Sequence, residues 1–154
     1  MKTKELILVM IILIVLAVVI ILSPFSPLNK ATVDGETFKI PPGYTIQESE
    51  TIQTLSNGTN TIQIYKTSDK ADLEEATNTF KNKFNETYNT TISDVNMNSK
   101  RSVKKTVSTK ESDGKTVTTT KIWFIKNNKV FNIQYENDET KLEQTAKDII
   151  SSMN

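Results

Sequence analysis

Hydrophobic positions along this 154-residue chain follow three different periods. Leu6 to Leu22 is an unbroken run of 17 apolar residues, all aliphatic but Met10, with no polar or charged group. As a helix it spans about 26 Å, close to a bilayer's hydrocarbon core. Its β-branched residues do not argue for a strand there, because in lipid only a helix pairs all of its own backbone groups. The run predicts a single transmembrane helix. Lys2 and Lys4 precede it, so residues 1–5 are expected in the cytoplasm and the C-terminal part outside the cell membrane, in single-pass topology. Ile20 to Phe25 contains no small-x-small site, which favours an uncleaved signal anchor over a removed signal peptide. Pro24 and Pro27 end the helix and stiffen residues 23–35 into a short tether.

Beyond the tether, residues 36–154 alternate between period two and period 3.6. Thr37 to Ile40 reads as a strand, Pro41-Pro42-Gly43 as a turn, and Tyr44 to Gln47 as renewed extended chain. Asn57-Gly58 predicts a hairpin joining a strand within Glu48 to Leu55 to Thr61 to Tyr65, with Ile62 and Ile64 on one face. From Asp69 to Tyr88 the period becomes helical, with Leu73, Ala76, Phe80 and Phe84 on one stripe and Asp69 placed to cap. Thr91 to Val95 is a short strand candidate. Arg101 to Tyr135 predicts three antiparallel strands turning at Asp113-Gly114 and Asn127-Asn128. Leu142, Ala146, Ile149, Ile150 and Met153 mark a final helix over Asp138 to Met153. Two helices and five to seven mostly antiparallel strands predict an α+β domain.

The run Phe38-Lys-Ile-Pro-Pro-Gly-Tyr44, followed by a hairpin, a helix, a β-meander and a terminal helix, resembles the PsbP-like fold. It also looks like small membrane-anchored proteins of unknown function from methanogenic archaea. The resemblance spans about residues 33 to 153 and implies a non-enzymatic binding or accessory domain, without carrying over any ligand residue. The run also has a plain physical reading: the prolines fix φ, Gly43 permits positive φ, and Phe38, Ile40 and Tyr44 can bury together.

Composition narrows the chemistry. The chain has no cysteine and no histidine, which removes thiol nucleophiles, disulfides, the usual zinc ligands and the commonest acid-base group near neutral pH. Serine has no recognisable base, no calcium-loop pattern occurs, and acidic neighbours such as Glu74-Glu75 point in different directions on a helix. No catalytic, cofactor-binding or metal site is expected, and the protein reads as not an enzyme.

Charge is polarised along the chain. Lys100 to Lys129 carries nine basic residues against Glu111 and Asp113, a net of +7, while residues 34–94 net −5 and 131–154 net −3. Lys100, Arg101, Lys104, Lys105, Lys110, Lys115 and Lys121 are therefore the candidate surface for an anionic partner: another envelope protein, an anionic polymer or a lipid head group. The plainer alternative is that these lysines solvate an open sheet face and edge. Nucleic acid is not expected, since no aromatics suited to stacking interleave the basic residues. Asn57, Asn85 and Asn89 fit the N-glycosylation acceptor pattern. The chain is thus expected to be a membrane-tethered, extracytoplasmic binding or accessory domain of unknown ligand. The alternative is a structural, pilin-like subunit assembling through its N-terminal helix, which Pro24 and Pro27 make harder by breaking that helix early.

Overall fold

The computed structural model describes residues 29–153. The predicted transmembrane segment, Leu6 to Leu22, lies outside them, and among the described residues no helix is long and apolar enough to cross a membrane.

Turn chemistry organises the strands. β1 (Lys30–Val33) and β2 (Glu36–Lys39) form a separate two-stranded hairpin. Its Asp34-Gly35 turn has φ of 47° and 84°. Asp113-Gly114 (51° and 72°) joins β7 (Val103–Ser112) to β8 (Lys115–Lys126), and Asn127-Asn128 (47° and 61°) joins β8 to β9 (Lys129–Glu136). Positive φ at both central residues is the two-residue geometry that matches strand twist, and Asp, Asn and Gly tolerate it best. In the remaining hairpin, Asn57 Oδ1 accepts from the backbone of Thr59 (3.0 Å) and Asn60 (2.7 Å), closing the turn between β4 (Ile52–Ser56) and β5 (Thr61–Ser68).

With β3 (Thr45–Gln47) and β6 (Asn89–Asp94), these strands build a seven-stranded antiparallel sheet in the order β3-β4-β5-β9-β8-β7-β6. Two helices pack on it: α1 (Leu73–Phe84) against β6, β7 and β8, and α2 (Thr140–Ser152) against β2 and β8. Asp72 caps α1 by accepting from Glu75 N at 2.9 Å, three residues later than the Asp69 the periodicity suggests. Asp69 is drawn away to Lys66.

The two faces of the sheet are filled very differently. One carries Leu55, Ile62, Ile64, Val103, Ile122, Phe124, Phe131 and Ile133, closed over by the stripe Leu142, Ala146, Ile149, Ile150 and Met153 of α2 and by Ala31, Val33 and Phe38 of the β1–β2 hairpin. Each such side chain fully removed from water contributes about 1.5–3 kcal/mol, so this layer dominates stability. Phe38, Ile40 and Tyr44 join it around the Pro41 turn, as the apolar spacing predicts. The opposite face holds only a small cluster of Leu73, Trp123 and Val130 beneath α1, flanked by Ala76, Phe80 and Ile125. Polar pairs fill the rest of that interface: Trp123 Nε1 donates to Thr106 Oγ1 at 2.9 Å, and Thr90 and Ser108 hydroxyls meet at 2.9 Å.

The expected α+β class is corrected by these proportions. The described chain is mostly β, with 48% strand and 21% helix. Among the described residues nine strands stand where five to seven were expected, and they run longer: β7 and β8 reach 10 and 12 residues as Thr- and Val-rich alternation continues beyond their pairing with β6 and β9. The helices stop at 12 and 13 residues. Lys30–Val33, assigned to the tether by its position, instead forms β1, with Ala31 and Val33 buried.

Two outcomes follow. Phe124→Ala should lower the unfolding free energy by about 3–5 kcal/mol in a denaturant titration, and Phe80→Ala, half-buried on the thin face, by distinctly less. Asp34 latches the β1–β2 turn to the sheet through Lys129 at 2.7 Å and Lys66 at 3.4 Å, and these lysines, Lys129 first, hold its carboxyl below the ordinary range. A folded-state pKa below the unfolded one stabilises above about pH 4, and the contribution is lost as pH falls through the folded value. Asp34→Asn should therefore reduce stability at pH 7 while leaving it unchanged at pH 2, measured as thermal midpoints across that range.

Candidate functional site

Strand alternation disperses the basic stretch. Lys104 and Lys105 are successive residues of β7 and point to opposite faces. Lys104 pairs with Glu74 (2.7 Å) and Asp94 (3.1 Å), and Lys105 with Glu143 (2.9 Å) and Asp138 (3.1 Å). Both lysine pKa values are raised: for Lys104 by the bond to Glu74 and then Asp94, and for Lys105 because its two carboxylate partners outweigh the opposing effect of burial. Arg101 donates to the carbonyls of Ile150 (2.7 Å) and Met153 (3.3 Å), closing the C-terminus of α2, where a cation suits the helix dipole. Lys110 lies 5.7 Å from the Tyr88 ring centroid, and Lys100 and Lys115 are exposed in a loop and a hairpin tip. Asn57, Asn85 and Asn89 are all exposed.

Lys121 is placed differently. It lies on the α1 face of the sheet, where the strand register sets out a small grid: Gln63, Gln134 and Lys121 across one row of β5, β9 and β8, and Tyr65, Asn132 and Trp123 across the next. The Lys121 arm reaches from β8 over β9 to donate to Tyr65 Oη at 2.7 Å, and Tyr65 Oη donates to Gln134 Oε1 at 3.1 Å. Its ammonium rests 4.4 Å from the Phe80 ring centroid, 5.4 Å from that of Tyr65 and 5.6 Å from that of Trp123. Rings at these distances stabilise a cation by their quadrupoles. No carboxylate of the described residues forms an ion pair with Lys121, and only one of its three donors is used within the protein.

Lys121, Tyr65, Phe80, Trp123 and Asn132 line a cleft of about 390 Å³ between α1 and the sheet, within the common range for small-ligand sites of about 300–1,000 Å³. Its rim carries Lys83, Asp72 and the Lys70–Glu75 ion pair. Its floor is Asn132, fully buried: Nδ2 donates to Thr67 Oγ1 at 2.6 Å, while Oδ1 has no partner. An unpaired buried amide oxygen costs about 1–3 kcal/mol, so the site keeps a polar group that the fold does not use.

A second cleft, about 360 Å³, lies at the β4–β5 turn beside Gln63, Gln134 and Leu142. Tyr135 lines it, with a hydroxyl that is buried without a partner and a pKa pushed up by burial and by the carboxylates of Glu143 and Asp138. Among the described residues no group of three or more acidic side chains is arranged to hold a metal ion.

Tyr65, Gln134 and Asn132 did not stand out in the sequence. Gln134 and Asn132 alternate with Phe131, Ile133 and Tyr135, the ordinary look of a half-solvated strand. The available signal was Trp123, which shares that face and implies cover above it.

No family model matches the chain. No curated protein matches it either. Among solved structures it is similar to that of LpqN, a protein involved in cell envelope biogenesis of Mycobacterium tuberculosis, at 12% identity over 75% of this chain and 78% of LpqN, with a TM-score of 0.39. A likeness at that score carries no argument about this chain, and a PsbP-like or archaeal relationship is not shown.

If Asn132 is retained for something other than folding, its removal should not harm the fold. Asn132→Leu, of similar volume, should leave stability unchanged or raise it by about 1–3 kcal/mol, because exposed Thr67 can turn to water. Denaturant unfolding measures this directly, and a loss of more than about 2 kcal/mol would make Asn132 a structural residue.

Proposed function

We propose that this chain is a membrane-tethered, extracytoplasmic domain without catalytic activity that holds an anionic ligand in the cleft between α1 and the sheet. The observation that carries the reading is Lys121, a cation set among Phe80, Tyr65 and Trp123 with no carboxylate partner among the described residues and two donors to spare. Lys104 and Lys105, by contrast, already face two carboxylates each, and an arriving anion would have to compete with those. The absence of histidine and cysteine supports binding over catalysis. The tether supports placement: Leu6 to Leu22, led by Lys2 and Lys4, would hold the domain near the outer membrane surface, where head groups, acidic polymers and acidic protein segments are the anions at hand.

Ligand binding to the native state raises thermal stability by mass action, about 2.7 kcal/mol at a hundredfold excess over Kd. Screening carboxylated and phosphorylated small molecules against their neutral counterparts should therefore raise Tm for at least one anion. The shift should fall with added salt, vanish in Lys121→Met and persist in Lys104→Met and Lys105→Met. A panel without any anion-dependent shift, or a shift that survives Lys121→Met, would remove the reading.

A further inference from the structure

The anion reading leaves one feature of the cleft unexplained, the unpaired amide of Asn132, and resting on that reading we propose that the ligand is an acidic sugar residue. Its carboxylate would meet Lys121, and one of its hydroxyls would pair with Asn132.

The chemistry of the floor restricts the choice. One end of the Asn132 amide is held by Thr67 and the other is unpaired. Whichever way the amide is turned, a hydroxyl satisfies the free end, because it both donates and accepts. A carboxylate or phosphate oxygen only accepts, and so cannot pair with Oδ1. Beside its anionic group the ligand must therefore bring a hydrogen-bond donor to Oδ1, and a hydroxyl fills that role in either orientation of the amide. Lys121 and Asn132 sit on neighbouring strands in successive rows, a diagonal of about 7–8 Å that the long lysine side chain shortens. A six-membered sugar acid spans such a distance.

Access to Asn132 runs past the Lys121 arm. That arm crosses β9, the strand that carries the fully buried Asn132, to reach Tyr65. The arm is a flexible lysine chain held by one hydrogen bond and ring contacts, with no ion pair to break. An incoming carboxylate gives the ammonium a better partner at the cleft mouth, and moving it there uncovers the amide. Beyond the cleft, the same face of the sheet continues as Gln63, Thr54, Ser56, Gln47 and Thr45, uncharged hydroxyl and amide side chains suited to neighbouring sugar units.

The test is calorimetric titration of the full chain in detergent micelles with glucuronate, cyclohexanecarboxylate and methyl glucoside, which separate acid from hydroxyl on one ring size. Glucuronate should bind at least tenfold more tightly than either. Asn132→Leu should reduce glucuronate to the affinity of cyclohexanecarboxylate without changing the latter, and Lys121→Met should weaken both acids. Cooperative thermal unfolding with midpoints no lower than that of the parent chain confirms that both variants remain folded. If cyclohexanecarboxylate binds as tightly as glucuronate and both depend on Lys121, the sugar assignment falls while the anion reading stands. If neither acid binds, or neither responds to Lys121→Met, both fall. Tetragalacturonate titrated beside galacturonate separates the sources: tighter binding of the tetramer marks a polymer residue, and equal affinity marks a free sugar acid.

Discussion

Everything distinctive about this domain depends on the two-residue alternation of side chains along a wide antiparallel sheet that has apolar cover enough for one face. On β8 the alternation sends Ile122 and Phe124 into the main core and Lys121 and Trp123 to the other side. On β9 it sends Phe131, Ile133 and Tyr135 one way and Asn132 and Gln134 the other. A slip of one residue would exchange these sets and bury Lys121 in place of Ile122. The Asp113-Gly114 and Asn127-Asn128 turns, with positive φ at all four residues, hold that register fixed.

The division of labour between faces follows from this. α2 and the β1–β2 hairpin seal the apolar face with eighteen buried residues in one cluster among those described, against three on the opposite side. The second face can therefore be polar without endangering the fold. α1 covers only its β6–β8 half, and the boundary of that cover is where the cleft opens. Aromatic groups reach the boundary from the helix side through Phe80 and from the sheet side through Trp123 and Tyr65, and Lys121 rests among them.

Much of the architecture was legible in the sequence because turn dipeptides and apolar stripes are local signals. The hairpins at Asn57-Gly58, Asp113-Gly114 and Asn127-Asn128 fall where the residues say, and the stripe from Leu142 to Met153 is wholly buried. Asp34-Gly35 carried the same signal, but its neighbours Ala31 and Val33 are too few to reveal a strand beside a tether. The mostly β balance escaped because pattern locates turns and stripes more readily than it counts or measures strands. The basic stretch shows the harder limit. Nearness in sequence made Lys104, Lys105 and Lys121 look like one surface, yet they divide between faces, and their counterions come from Glu74, Asp94, Asp138 and Glu143, each distant in sequence or on another element. Of Lys104, Lys105 and Lys121, Lys121 alone is left without a carboxylate among the described residues, and which lysines are so left is a property of the fold that composition does not contain.

The central claim is that anions engage this domain at Lys121 and not along the Lys100–Lys110 stretch. Mapping amide and side-chain chemical shifts by NMR while titrating glucuronate into the full chain locates the contact directly. The account predicts shifts concentrated at the Asn132 side-chain amide, the Trp123 indole, Tyr65 and the Lys121 side chain, with Lys104 and Lys105 unmoved. Shifts centred on Lys100 to Lys110, with the Asn132 amide and the Trp123 indole unchanged, would contradict it.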